Sequence, residues 1–118
     1  MTGPVFIFTC GGDMDVFQSL IAAEQWMEVI GVEEGEYVAV YLTDGARYLA
    51  TVEGERVRLM PSGDLDLANL QQRLGDYKRR VSSAPQALSP ATFAAEWLRW
   101  KQERRWSSRL RRLLRRRK

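Results

Sequence analysis

The stretch GEYVAVYLTDGARYLATVEGERVRLMP, residues 35–61, decides how this chain folds. It strings together three segments rich in β-branched and aromatic residues, separated by Asp44-Gly45 and Glu53-Gly54. Asp-Gly is a strong two-residue hairpin signal, because a type I′ turn needs positive φ at both central positions. With two-residue turns at both places, Tyr41 stands opposite Tyr48 and Tyr48 opposite Leu59. Ala39 then stands opposite Ala50, Ala50 opposite Val57, and Tyr37 opposite Val52. These residues share one side of the meander, which is the expected core face. The other side carries Val38, Val40, Leu42, Leu49 and Met60 beside Arg47, Arg56 and Arg58, too apolar to be left bare and too charged for a simple core. A one-residue slip at either turn rearranges this assignment.

Outward from the meander, Val5 to Thr9 reads as a further strand and CGGD (10–13) as a loop. Ser19 is placed to cap a helix running to Ile30. Its apolar face is Leu20, Ala23, Trp26, Met27 and Ile30, its polar face Glu24, Gln25 and Glu28, and Gly31 ends it. Downstream, Pro61-Ser62-Gly63 breaks the last strand, and Asp64 or Asp66 caps a helix whose stripe is Leu67, Leu70, Leu74, Tyr77 and Val81. SSAPQALS (82–89) reads as a linker, and Ser89-Pro90 as the opening of a final helix. The expected fold is α+β: an antiparallel sheet of about four strands, the meander 36–60 plus strand 5–9. It is packed with helices 19–30 and 66–81. In domain terms, an acidic body (1–81) is joined by residues 82–89 to a basic amphipathic helix (90–118).

Composition narrows the chemistry. The chain has 118 residues, 45% hydrophobic and 28% charged, in the range of one ordinary globular domain. It has no histidine, which removes Ser-His and Cys-His nucleophile pairs and most zinc sites. Cys10 is the single cysteine, so no internal disulfide is possible. This fits a reducing, cytoplasmic setting, and with no cation beside it in sequence it is expected to be a buried, inert thiol. CGGD lacks the Lys-Ser/Thr of a phosphate-binding loop, and Asp13 and Asp15 lack the other ligands of a calcium loop. Only unassigned carboxylate chemistry survives, so the chain is read as a non-enzyme without metal or cofactor. No apolar run approaches the roughly 18 residues of a membrane span. PVFIFTC (4–10) has neither a basic flank nor a small-residue cleavage site, and reads as a strand, not a signal peptide.

Charge is unevenly placed. Residues 1–89 hold seven Lys/Arg against thirteen Asp/Glu, a net −6, and residues 90–118 hold eleven against two, a net +9. Within the final helix, Phe93, Trp97 and Trp100 form one aromatic stripe, whereas Trp106, Leu110, Leu113 and Leu114 fall more than about a quarter turn away on a 3.6-residue helix. One straight helix cannot bury both against one flat surface. Either it breaks near 106–108, or its halves meet different surfaces. The first half is expected to dock on the body, with Val38, Val40 and Leu49 as a candidate receptor. The second half, RWSSRLRRLLRRRK (105–118), suits a protein groove, phosphates of a nucleic acid, an anionic membrane, the body of a second copy, or plain solvent. A protein partner leads: the tail is short for stable membrane attachment, and an acidic body repels nucleic acid. Glu33, Glu34 and Glu36, clustered at the meander entrance with Glu53 and Glu55 near its second turn, would suit a basic partner.

VFQSLIAAEQWMEVIGVEEGEYVAVY (16–41), followed by DGAR (44–47), resembles small bacterial α+β proteins with a helix-then-meander layout. Some of these are similar to immunity proteins of polymorphic-toxin loci. The resemblance spans about residues 5–60, and its motifs are structural: a helix start, a helix-to-strand junction and a hairpin turn. It carries over no binding residue, and the long basic C-terminal helix departs from it. What it implies is toxin neutralisation by protein binding. Candidate partner-binding residues are Trp106, Leu110, Leu113, Leu114, Arg47, Arg56, Arg58, Glu33, Glu34 and Glu36.

Overall fold

A computed structural model describes residues 3–81, 83–87 and 89–116, the stretch 104–116 by its backbone alone. The elements are β1 (Val5–Thr9), β2 (Met14–Phe17), α1 (Leu20–Trp26), α2 (Val29–Glu33), β3 (Tyr37–Leu42), β4 (Ala46–Glu53), β5 (Arg56–Leu65), α3 (Leu67–Arg80) and α4 (Pro90–Arg116). The fold is α+β as expected: one antiparallel sheet in the order β2-β1-β3-β4-β5. It has five strands, not about four. The addition is β2, which the short loop after β1 returns alongside β1, with Phe8 opposite Met14 and Val5 opposite Phe17.

Helices cover both sides of the sheet. On one side Phe6, Phe8, Met14, Val16, Ala39 and Tyr41 pack with Leu70, Leu74 and Tyr77 of α3 and with Phe93, Ala94 and Trp97 of α4. On the other, Val5, Ile7, Val40, Val57 and Leu59 pack with Ala23 and Met27 of the α1–α2 layer. This explains the uninterrupted run Val5-Phe6-Ile7-Phe8. All four are buried, because alternate side chains enter opposite cores.

The expected core face of the meander is split. The loop between β3 and β4 has three residues, since Val40 pairs with Tyr48 and Tyr41 with Arg47. Gly45 supplies the positive φ (+90°), and Asp44 Oδ1 accepts the Ala46 N–H. An odd loop length exchanges faces, so Ala39 and Tyr41 lie under α3 and α4 while Tyr48 and Ala50 lie with α1–α2. The second turn is Gly54-Glu55, with Gly54 at φ +65°. It pairs Ala50 with Leu59 and Val52 with Val57, a two-residue shift that keeps the faces. Nor does Pro61-Ser62-Gly63 end a strand: β5 passes through it on a bulge opposite Arg47. Ser62 Oγ donates to the Arg47 carbonyl and accepts from Asp64 N–H there.

Ser19 caps α1 by accepting the Ala22 N–H, but the expected single helix 19–30 is two. Met27 and Glu28 are extended, and the Tyr37 hydroxyl takes the Glu28 N–H at 2.9 Å in place of a helical carbonyl. Gly31 does not stop the helix. It lies buried inside α2, where a Cβ would come within 2.8 Å of the Tyr37 ring. Cys10 is exposed, against expectation, because it follows the β-bulge that turns the chain away after Phe8.

Asp66 caps α3 through the Asn69 N–H, and Leu70, Leu74 and Tyr77 are buried as their spacing predicts. Gly45 is pressed against this helix start. Its carbonyl accepts the Asp66 N–H, and a Cβ there would lie 2.6 Å from Leu67 Cα. Ser89 Oγ accepts the Thr92 N–H at the head of α4, which then runs as helix to Arg116, through 106–108. Phe93 and Trp97 do not cover Val38, Val40 and Leu49, the expected receptor. They sit over the β1–β2 part of the sheet, with Phe93 6.2 Å from the Phe6 ring. The physical reason is the face exchange: Val40 is already sealed by α1–α2 on the opposite side.

Candidate interaction surfaces

Among the described residues no group of three or more His, Cys, Asp or Glu is placed to hold a metal ion, and none of the described buried residues is polar or charged. The features that stand out are surfaces.

The first is the bare side of the β4–β5 hairpin. Leu49 stands directly opposite Met60, Thr51 opposite Arg58 and Glu53 opposite Arg56, and Arg47 follows on the same side by strand alternation. The α3–α4 layer reaches Tyr41 of β3, whose hydroxyl donates to Asn69 Oδ1 at 2.7 Å, and Arg47 covers the other flank of that ring at 5.9 Å. Beyond it Leu49 and Met60 are left 52% and 49% exposed. Arg47, Arg56 and Arg58, three of the sequence-derived candidates, are therefore brought together around an apolar pair. Arg58 is not wholly free: its Nε lies 3.8 Å from Glu53 and 3.9 Å from Glu24.

The free edge of β5 adjoins this surface and is partly blocked against strand addition. The Leu59 N–H donates to Glu24 Oε2 at 2.7 Å, and two residues on, where the next N–H would face outward, stands Pro61. Glu24 thus reaches from α1 to the sheet edge instead of lying on a solvent face.

The second surface is the outside of the α1–α2 layer. Glu33, Glu34 and Glu36 lie here, exposed, on the opposite side of the sheet from the arginine cluster. Ile21 and Ile30 are 64% and 60% exposed, and Trp26 is half-exposed, its ring tilted against those of Phe17 and Tyr37 at 5.1 and 6.1 Å. Helical spacing assigned Trp26 and Ile30 to the core. The break at Met27-Glu28 rotates Ile30 outward, and no local signal marks it, since the acceptor is the distant Tyr37 hydroxyl. Between α1 and β5 runs a groove of about 670 Å³, lined by Ile21, Glu24, Glu28, Val29, Glu55 and Arg56 among others.

The third is α4. Its first half is clamped to β2 at Lys101, whose Nζ donates to Asp15 Oδ1 at 2.8 Å and lies 4.9 Å from the Phe17 ring and 5.0 Å from the Trp97 ring. Asp15, a weak metal candidate by sequence, is thus engaged by a lysine and by the Val16 N–H. Trp106, Leu110, Leu113 and Leu114 fall on helix beyond this clamp, and their side chains lie outside the described residues.

No protein-family model, curated protein or solved structure matches the chain. No helix among the described residues is long and apolar enough to cross a membrane.

Proposed function

We propose that this protein is a non-catalytic protein-binding module, working in the cytoplasm as an immunity protein that masks a bacterial toxin domain. The observation that carries the reading is the bare hairpin side: a half-exposed apolar pair, Leu49 and Met60, rimmed by Arg47, Arg56 and Arg58. An apolar centre with arginines around it is the composition of protein interfaces. The partly blocked β5 edge favours recognition through side chains over strand addition. The test is co-expression with a panel of bacterial toxin domains. Growth rescue and a tight co-purifying complex are expected, and Leu49→Glu with Met60→Glu abolishes both. Failure of the folded wild-type protein to bind or neutralise any of them overturns the reading.

A second reading has its own observation. Residues 104–118 hold nine Lys/Arg and no acid, and the helix continues past its clamp at Lys101 as far as Arg116. Such a helix suits phosphate groups, whether of nucleic acid or of anionic lipid. Binding to either would weaken steeply with salt and disappear on deletion of 107–118. Retention by the deletion variant discards it.

A further inference from the structure

The two surfaces that lie apart on one molecule complement each other between two. Residues 20–36, which form the α1–α2 layer, carry five carboxylates (Glu24, Glu28, Glu33, Glu34 and Glu36) and no Lys or Arg. Among them sit Ile21 and Ile30, both more than half exposed. The end of α4 has the opposite composition: nine cations within 104–118, and by sequence spacing an apolar strip of Trp106, Leu110, Leu113 and Leu114. An amphipathic helix laid on an apolar surface of opposite charge is an established mode of recognition, in which apolar area supplies affinity and charge supplies orientation.

Within one chain the first half of α4 is seated elsewhere. Phe93, Ala94 and Trp97 hold it on the Phe6–Phe8 side of the sheet, and the α1–α2 layer covers the Val5–Ile7 side. Beyond Lys101 the helix continues unbroken to Arg116, about 22 Å further along its axis. A second molecule can bring its own α1–α2 face to that end. A contact in which each copy offers its helix end and receives the other's closes on itself with two-fold symmetry.

We propose that the C-terminal half of α4 of one copy docks on the α1–α2 face of a second copy, giving a reciprocal dimer. This is independent of the toxin-binding reading, which uses the other side of the sheet. The test is sedimentation of the full-length chain with charge-reversed variants. One carries Glu28→Lys, Glu33→Lys, Glu34→Lys and Glu36→Lys, which turns residues 20–36 from −5 to +3, and the other Arg105→Glu, Arg109→Glu, Arg112→Glu, Arg116→Glu, Arg117→Glu and Lys118→Glu, which turns residues 104–118 from +9 to −3. The wild type should form a dimer whose dissociation constant rises roughly tenfold or more between low and high salt. Each variant alone should be monomeric with an unchanged circular dichroism spectrum. An equimolar mixture of the two should recover a dimer, because both docks then again pair opposite charges. A monomeric wild type at low salt overturns the proposal. So does a dimer indifferent to either reversal, or a mixture that stays monomeric; in each of these the helix end serves another partner.

Discussion

The two halves of the sheet are built from similar residues and end in different states. In β1 every residue from Val5 to Phe8 is buried, whereas β5 alternates, with Val57 and Leu59 buried and Arg56, Arg58 and Met60 exposed. The difference is the number of layers. Over β1 and β3, α1–α2 closes one side and α3–α4 the other; over β4 and β5 only α1–α2 is present. A strand covered twice needs apolar residues in succession, and a strand covered once needs them alternately. Leu49 and Met60 depart from that rule on the open side, and the proposed binding surface rests on that departure.

The sharpest way to break the comparison is to remove mass from the double-covered half. Phe6 and Phe93 are fully buried and face each other across the sheet–helix junction. Phe6→Ala or Phe93→Ala should cost about 3–5 kcal/mol. The check is the urea midpoint at unchanged denaturant slope. A loss under about 1 kcal/mol would mean that α4 is not seated there.

A smaller effect is expected where the halves join. Gly45 combines a positive φ with backbone contact to Leu67. Gly45→Ala meets both penalties, strain and a clash that no flexible side chain can relieve, and should cost about 1–3 kcal/mol, read as a lowered thermal midpoint. Gly54→Ala, with a positive φ but open space around it, should cost less.

Much of this was readable in the residues, and the misses share a cause. Ser19, Asp66 and Ser89 act through hydrogen bonds three residues long, so their caps were legible. The α3 stripe was legible because one face of one helix meets one core. The meander's existence was legible, but its faces hung on whether the Asp44-Gly45 loop holds two residues or three, and both fit the same letters. The break of α1 from α2 depends on Tyr37, nine residues beyond the N–H it captures. Of the candidate binding residues, the arginines were gathered by strand alternation alone. That the glutamates face the other way follows only from the layer order.

The clamp between α4 and β2 should register more weakly. Lys101 and Asp15 are mostly shielded from water, with side chains 27% and 20% exposed, and Lys101 also lies against two rings. A double-mutant cycle with Lys101→Met and Asp15→Asn should give a coupling of about 1 kcal/mol. No coupling would show that the apolar contacts of Phe93, Ala94 and Trp97 seat the helix without help from the ion pair.

The smallest effect on stability is expected at the pair on which the proposed binding surface is centred. Leu49 and Met60 touch one another across the hairpin, with no helix above them. Replacing each with Ser removes little buried area, so stability should move by no more than about 0.5 kcal/mol per site. At an interface centre the same truncations should cost about 2 kcal/mol or more, a loss of roughly 30-fold in affinity for the toxin domain. Calorimetric titration beside a thermal melt separates the two quantities. A pair that proves costly to stability and neutral to binding would mean that the open half of the sheet is finished by packing within the chain. The contrast between the two halves would then lose its functional meaning.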